Sequence, residues 1–178
     1  NPMKTVSFQN DILPLKDMLF RLALRITLNR EDAEDIVQET LIRCWNNRDT
    51  WQEIDSIQAF TTTICRNLAI DYTKRKSRTE RVEGKKQNAD SETLTHEMAA
   101  QNSEDPLTAM LRQEQFAQVK AVIDSLPESQ KSCIQLRDFE EKSYREISEM
   151  LQITEQQVKT NIFRARQTVK AKLKPNSK

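Results

Sequence analysis

The sequence predicts an all-α protein, and three observations predict it. Glycine occurs once (Gly84) among 178 residues, alongside five prolines, whereas the tight turns of sheet-rich folds draw heavily on glycine. Apolar residues recur at helical spacing through most of the chain. A polar, acidic stretch divides that pattern in two. A hydrophobic content of 37% and a charged content of 31% suit a soluble chain with modest cores.

The first helix is expected over about residues 11–28, with Leu15, Met18, Leu19, Leu22 and Ile26 as its buried stripe. Asn29 is placed to cap the next helix. There Ala33, Ile36, Val37, Thr40, Leu41, Cys44 and Trp45 keep the i, i+3, i+4, i+7 pattern for three turns. A polar break at residues 46–55 carries Trp51. The third helix is expected from near Ser56, stacking Ile57, Phe60, Ile64, Leu68 and Tyr72 before it enters the basic residues 74–81. These helices make an N-terminal domain of three to four helices, residues 1–82.

Residues 83–106 hold six acids and two bases among many Gln, Asn, Ser and Thr. They bury too little apolar area to offset their ordering entropy, so a flexible linker is predicted. A C-terminal domain, residues 107–178, follows. Its first helix runs through Leu111, Val119, Val122 and Ile123; Pro127 suits the opening turn of the next, which reaches Phe139 and packs Cys133 and Leu136. Each domain is expected to be a separate compact head on a loose tether.

The last third is the most informative. Ser143-Tyr144-Arg145-Glu146 and Thr154-Glu155-Gln156-Gln157 both fit the capping box, in which side chain and backbone satisfy each other at a helix start. Tyr144, Ile147 and Leu151 form the inward stripe of one helix; Val158, Ile162, Ala165 and Val169 form that of the other. Two capped helices joined this closely predict a helix-turn-helix. From Thr154 onward there are seven Lys/Arg against one acid, the charge a helix needs to enter a major groove.

The net charge of +1 conceals a segregation. Residues 31–42 carry five acids and no base, whereas residues 66–81 carry six bases against Asp71 and Glu80. Nucleic acid responds to the local field, which is screened over roughly 10 Å, so two basic zones predict two anionic contacts. Cys44, Cys65 and Cys133 lie in apolar helical surroundings and read as small buried hydrophobes. His96, the only histidine, lies in the linker and leaves a zinc site short of ligands. No cofactor and no metal are expected. No apolar run approaches the roughly 20 residues of a membrane span, no signal peptide is visible, and a cytoplasmic location is expected.

With these parts in order, the chain resembles the extracytoplasmic-function (ECF) group of bacterial RNA polymerase sigma factors. The likeness rests on EDAEDIVQETLIRCW, AFTTTICRNLAIDYTKRKSR and LPESQKSCIQLRDFEEKSYREISEMLQITEQQVKTNIFRARQTVKAKL. The middle passage resembles regions 2.3 and 2.4, and the last resembles region 4. The chain departs from the group at Phe60-Thr61, where Trp-Leu is frequent, at Cys65, where Ala is usual, and at Gln152, where the turn normally has a small residue or Gly.

The resemblance implies roles that the residues must sustain physically. Asp35, Gln38, Glu39 and Ile42 form one stripe, implied to bind the β′ clamp helices of core RNA polymerase; an acidic stripe ending in an apolar point suits a basic partner helix. The plainer reading is a solvated face whose acids complement the helix N-terminus. Trp51, Arg66, Asn67, Asp71, Tyr72, Lys74, Arg75 and Lys76 are implied to capture the −10 element of promoter DNA, because stacking on an aromatic contributes roughly 1–3 kcal/mol per base. For Trp51 and Asp71 the alternative is packing and ion pairing. In the last helix Thr154, Glu155, Gln156, Gln157, Lys159 and Thr160 are expected to face base edges of the −35 element, where Gln reads adenine. Arg164 and Arg166 are expected to grip phosphates, and Phe163 fits either face or core. The β flap of the polymerase and an anti-sigma factor complete the implied partners, and an acidic linker resembling region 3 would run toward the RNA exit path.

Two other functions fit the residues less well. A stand-alone duplex-binding regulator leaves the cationic run and the acidic stripe without a joint purpose. An enzyme such as a recombinase needs a nucleophile and acid/base groups in a formed pocket, and the residue pattern offers none.

Overall fold

The computed structural model describes residues 5–83 and 106–173, with side chains described as far as Thr79 in the first stretch. The linker, His96 and the last two lysines therefore lie outside the described residues. Seven helices follow in order: α1 (Lys16–Thr27), α2 (Arg30–Asn46), α3 (Ile57–Glu83), α4 (Pro106–Asp124), α5 (Glu128–Ile134), α6 (Tyr144–Leu151) and α7 (Glu155–Leu173). The described residues contain no strand.

The first helix is shorter than its apolar pattern. Pro14 has no N–H and its ring crowds a helical turn, so a wide turn (Phe8–Ile12) and a 3-10 turn (Leu13–Leu15) precede α1. Asn29 caps α2 as expected, its side chain accepting from the Asp32 N–H at 3.0 Å. Ser56 does the same for Ala59 at the start of α3. The Ser143–Glu146 capping box closes in both directions.

Two helix ends adopt the left-handed conformation without glycine: Leu28 after α1 (φ 57°) and Gln152 after α6 (φ 56°). Each backbone N–H returns to a carbonyl four residues back, the hydrogen bond of an αL cap. The β-carbon there costs roughly 1 kcal/mol, offset by the hydrogen bond and by the packing of Leu151, Ile153 and Val158 on either side of the turn.

The expectation of separate heads is corrected. One continuous apolar core contains Leu19, Leu22, Ala33, Ile36, Cys65 and Ala69 together with Cys133, Leu136, Ile147, Met150 and Val158. The physical reason is a second buried face on α3. Ala59, Thr62, Thr63 and Arg66 fall at i, i+3, i+4 and i+7, and α6 packs against this side. Its threonines return their hydroxyls to the helix's own carbonyls, and Thr63 Oγ1 also lies 2.9 Å from the Met150 carbonyl. A polar-looking stripe is thereby made compatible with burial.

Polar contacts frame this seam. Arg66 pairs with Glu128 at 2.7 Å, Arg25 with Asp124 at 3.2 Å, and Arg21 with Glu140 at 2.5 Å. Gln58 donates to Glu146 and accepts from Lys142 Nζ. Smaller clusters lie at each end: Ile123, Leu126, Ile134 and Ala165 join α4, α5 and α7, while Ile12, Cys44 and Trp51 lock the loop before α3. Leu111 does not join the inward set of its helix and is 53% exposed. All three cysteines are buried and free, and burial raises the Cys65 and Cys133 thiols to about 12.

Candidate nucleic-acid interface

The acidic stripe faces outward. Asp35, Gln38, Glu39 and Ile42 are all exposed on α2, and Glu39 is steadied by Arg43 at 3.0 Å, one turn on. The stripe continues one turn further to Trp45, which is 47% exposed and not part of the buried pattern as expected. Arg48 lies over its ring at 4.7 Å, and Phe8 meets it edge-on at 5.6 Å.

Trp51 takes the opposite fate. It is buried at 7% exposure, stacks on Phe8, and donates its indole N–H to the Cys44 carbonyl at 3.0 Å. A ring so enclosed presents no free face to a base in this form of the chain. Beside Trp51 the loop packs Ile54, Ile57 and Phe60, which explains the burial: an indole removed from water stabilises by several kcal/mol, and its N–H has found a partner. Trp51 packs by Phe60; Tyr72 lies twelve residues on, about 18 Å along the helix axis, so the two aromatics do not form one platform.

The remaining cationic set divides by helix face. Asn67, Asp71, Lys74 and Arg75 are exposed and lie at i, i+4, i+7 and i+8, one outward stripe of α3. Tyr72 and Lys76 turn toward α2, where the buried carboxylate of Asp32 accepts from the Tyr72 hydroxyl at 2.8 Å and from Lys76 Nζ at 3.0 Å. That bond to Asp32 raises the Tyr72 pKa. Asp32 was absent from the sequence-derived set; its place four residues before Ile36, on the inward face, was the available signal. Arg66 points away from the stripe, with the Nε–Nη2 edge of its guanidinium on Glu128.

On α7 the outward surface contains Glu155, Gln156, Lys159, Phe163, Arg164, Arg166 and Lys170. Phe163 is 61% exposed and belongs to this surface, not to the core. Thr154 and Gln157 form a reciprocal cap at 2.9 and 3.1 Å, so the Gln157 side-chain oxygen is engaged by the Thr154 N–H while Gln156 is exposed beside it. Lys159 sits 5.7 Å over the Tyr144 ring, and Thr160 is half-buried. Arg166 is held by Asp138 through two bonds of 2.5 and 3.3 Å, which raise its pKa. Arg164 is exposed.

The start of α7 is exposed and borders an open cleft. Across this cleft of about 490 Å³, Asp55, Ser56 and Ala59 oppose Ser148, Glu149, Gln152, Thr154 and Gln157. Among the described residues no group of His, Cys, Asp and Glu is arranged to hold a metal, and no helix is long and apolar enough to cross a membrane.

This arrangement coincides with known families. The Sigma-70 region 2 family matches residues 12–79, and the Sigma-70, region 4 family matches residues 116–169. The ECF RNA polymerase sigma factor EcfG of Rhodopseudomonas palustris is 31% identical over 170 residues, covering 95% of this chain and 86% of the relative. The corresponding sigma factor SigW of Bacillus subtilis is 28% identical, covering 89% and 84%. Against SigE of Mycolicibacterium smegmatis, 29% identical, the chain spans 59% of the relative's length. Among solved structures, the sigma factor RpoE of Bartonella quintana, in complex with the anti-sigma factor NepR, superposes with a TM-score of 0.73 at 21% identity, covering 96% and 98%. CnrH, in complex with the cytosolic domain of CnrY, superposes with a TM-score of 0.64 at 18% identity, covering 96% and 89%.

Proposed function

The chain belongs to the extracytoplasmic-function group of RNA polymerase sigma factors, and from that premise we propose how its surfaces divide the work of directing the polymerase to promoters. The N-terminal domain, residues 1–82, docks on core polymerase and holds the −10 element. The C-terminal domain, residues 107–178, carries the −35 element on α7. Residues 83–106 connect them. Bond-making stays in the polymerase, and the chain acts where that polymerase does, in the cytoplasm.

Docking falls to Asp35, Gln38, Glu39 and Ile42. Their carboxylates would set register and on-rate against a basic partner helix, while Ile42 supplies the desolvated contact. The observation that carries the reading is that this stripe is exposed along its whole length, on the opposite side of α2 from Ala33, Ile36, Val37 and Cys44.

At the −10 element, Asn67, Asp71, Lys74 and Arg75 offer one continuous polar and cationic edge for a single strand. Tyr72 and Lys76 join it from their seat on Asp32, and Arg66 joins it once released from Glu128. Trp51 supports the loop from beneath. At the −35 element, Gln156, Gln157, Glu155, Thr154, Lys159 and Thr160 stand at the end of α7 that enters a major groove, and Arg164 and Arg166 bind phosphate, adding affinity that falls with salt. The sigma factor RpoE of Bartonella quintana is bound to an anti-sigma factor, which supports such a partner for this chain as well.

Co-purification with core polymerase tests the docking surface. The chain is expected to be retained, and Asp35→Arg with Ile42→Glu to lower retention at least about tenfold. No retention together with tight self-association would favour a stand-alone duplex-binding regulator.

A further inference from the structure

We propose that the cavity between α1 and α4 is a binding site for a small aromatic carboxylate, separate from the surfaces assigned to polymerase and DNA. The cavity has a volume of about 420 Å³, within the range of small-molecule sites. Lys120 of α4 lines it and is only 6% exposed, yet its ammonium makes no hydrogen bond and no ion pair. A lysine is almost never buried without a partner, because its three N–H donors have lost their water. The acid one turn on, Asp124, is already engaged by Arg25 at 3.2 Å, and the Arg25 Nε is bound to Gln135. Asp17, the other acid of the lining, is exposed and acts on Arg21. Burial lowers the Lys120 pKa, and Asp124 offsets only part of that. A carboxylate seated on Lys120 Nζ would supply the missing acceptor.

The rest of the lining selects the body of the ligand and its charge. Phe116 stands one turn before Lys120 on the same face of α4, and Phe20 and Leu24 stand one turn apart on α1. Phe116 lines the cavity half-buried and joins none of the apolar clusters of the described residues, so its ring is open to a partner there. Phe139 completes the apolar wall, with Arg25 over its ring at 5.3 Å. Flat apolar walls favour a flat apolar guest, held by offset or edge-on ring contacts. The lining holds three cations, Arg21, Arg25 and Lys120, against two acids, an excess of one. A single carboxylate balances that excess, whereas a doubly charged phosphate overshoots it.

Titration calorimetry on the full chain with naphthalene-2-carboxylate tests the site. Saturable binding at one site is expected, with a Kd of about 1 mM or tighter for a ligand of this size. Acetate, which has the charge without the rings, and 2-naphthylmethanol, which has the rings without the charge, are each expected to bind at least about tenfold more weakly. Lys120→Met removes the buried charge, keeps an apolar stem, and is expected to lower affinity for naphthalene-2-carboxylate at least about tenfold while leaving binding of 2-naphthylmethanol unchanged. Phe116→Ala is expected to weaken both ring-bearing probes alike. Arg145→Gln makes the same change in net charge at an exposed position outside the lining and is expected to bind as wild type does. Thermal melting without ligand confirms that each variant is folded, and ligand should raise the wild-type midpoint by mass action. No saturable binding by wild type, equal affinity in Lys120→Met, or equal affinity for 2-naphthylmethanol would overturn the proposal. Tighter binding of adenosine monophosphate than of the carboxylate would overturn the assigned ligand class.

Discussion

Arg66 grips Glu128 edge to edge, with Nε to Oε1 at 2.8 Å and Nη2 to Oε2 at 2.7 Å, and Ser132 donates to the same carboxylate at 2.6 Å. The pair joins α3 to α5, 62 residues apart in sequence, with side chains 17% and 28% exposed. A pair this accessible contributes about 1 kcal/mol, not the larger figure of a dry one.

Arg66→Ala and Glu128→Ala are therefore expected to lower stability by a similar amount, about 1 kcal/mol. Only Arg66→Ala should also weaken −10 binding, because only arginine has a second partner. Urea unfolding beside single-strand binding separates the two. Equal loss of DNA binding in both would deny Arg66 a role on the promoter.

Gln157 and Arg164 divide reading from gripping. Gln157→Ala should shift −35 base preference by about 1–3 kcal/mol at one position and remove half of the cap on α7. Arg164→Ala should weaken all sequences alike and lower the salt slope by about one. Gln157→Glu keeps a cap acceptor but presents the wrong edge to adenine. A binding-preference library run at two salt concentrations checks all three, and a uniform loss in every variant would erase the distinction.

The two tryptophans should part company on mutation. Trp51→Ala is expected to cost about 3–5 kcal/mol, as a buried aromatic truncated to a methyl. Trp45→Ala should cost under about 1 kcal/mol yet reduce retention by core polymerase, because the ring continues the exposed stripe at Ile42. Urea midpoints and retention on the same proteins decide it.

Acid should loosen the seam through Glu146. Its carboxyl is held below the ordinary value of 4.5, first by the Ser143 backbone N–H and next by the Gln58 side chain. A depressed carboxylate stabilises fully above its unfolded pKa and loses that contribution as pH falls below about 4.5 and through the folded value. Unfolding free energy measured from pH 6 down to pH 3 should fall less steeply for Glu146→Gln, which retains a capping partner. Superimposable slopes would contradict this.

What the sequence disclosed follows from how local the causes are. Caps at Asn29, Ser143 and Thr154 depend on residues three apart, and the apolar stripes of α1 and α2 on one helical turn, so both were legible. The buried side of α3 was not. Thr62, Thr63 and Arg66 look polar until Met150 and Glu128 arrive from across the linker. Nor could periodicity choose between Trp45 and Trp51, because α2 gives way after Asn46 to a 3-10 turn with a different residue angle. Arg166 likewise needed Asp138, 28 residues away, to show that it is partly engaged.

Transcription in vitro is the most direct test of the whole account. Core RNA polymerase with the purified chain, on a library randomised at both promoter elements, should yield transcripts enriched for one −10 and one −35 sequence, and Ile42→Glu should abolish them. Transcripts that appear equally without the chain, or none with it while core polymerase remains active with another sigma factor, would contradict the account.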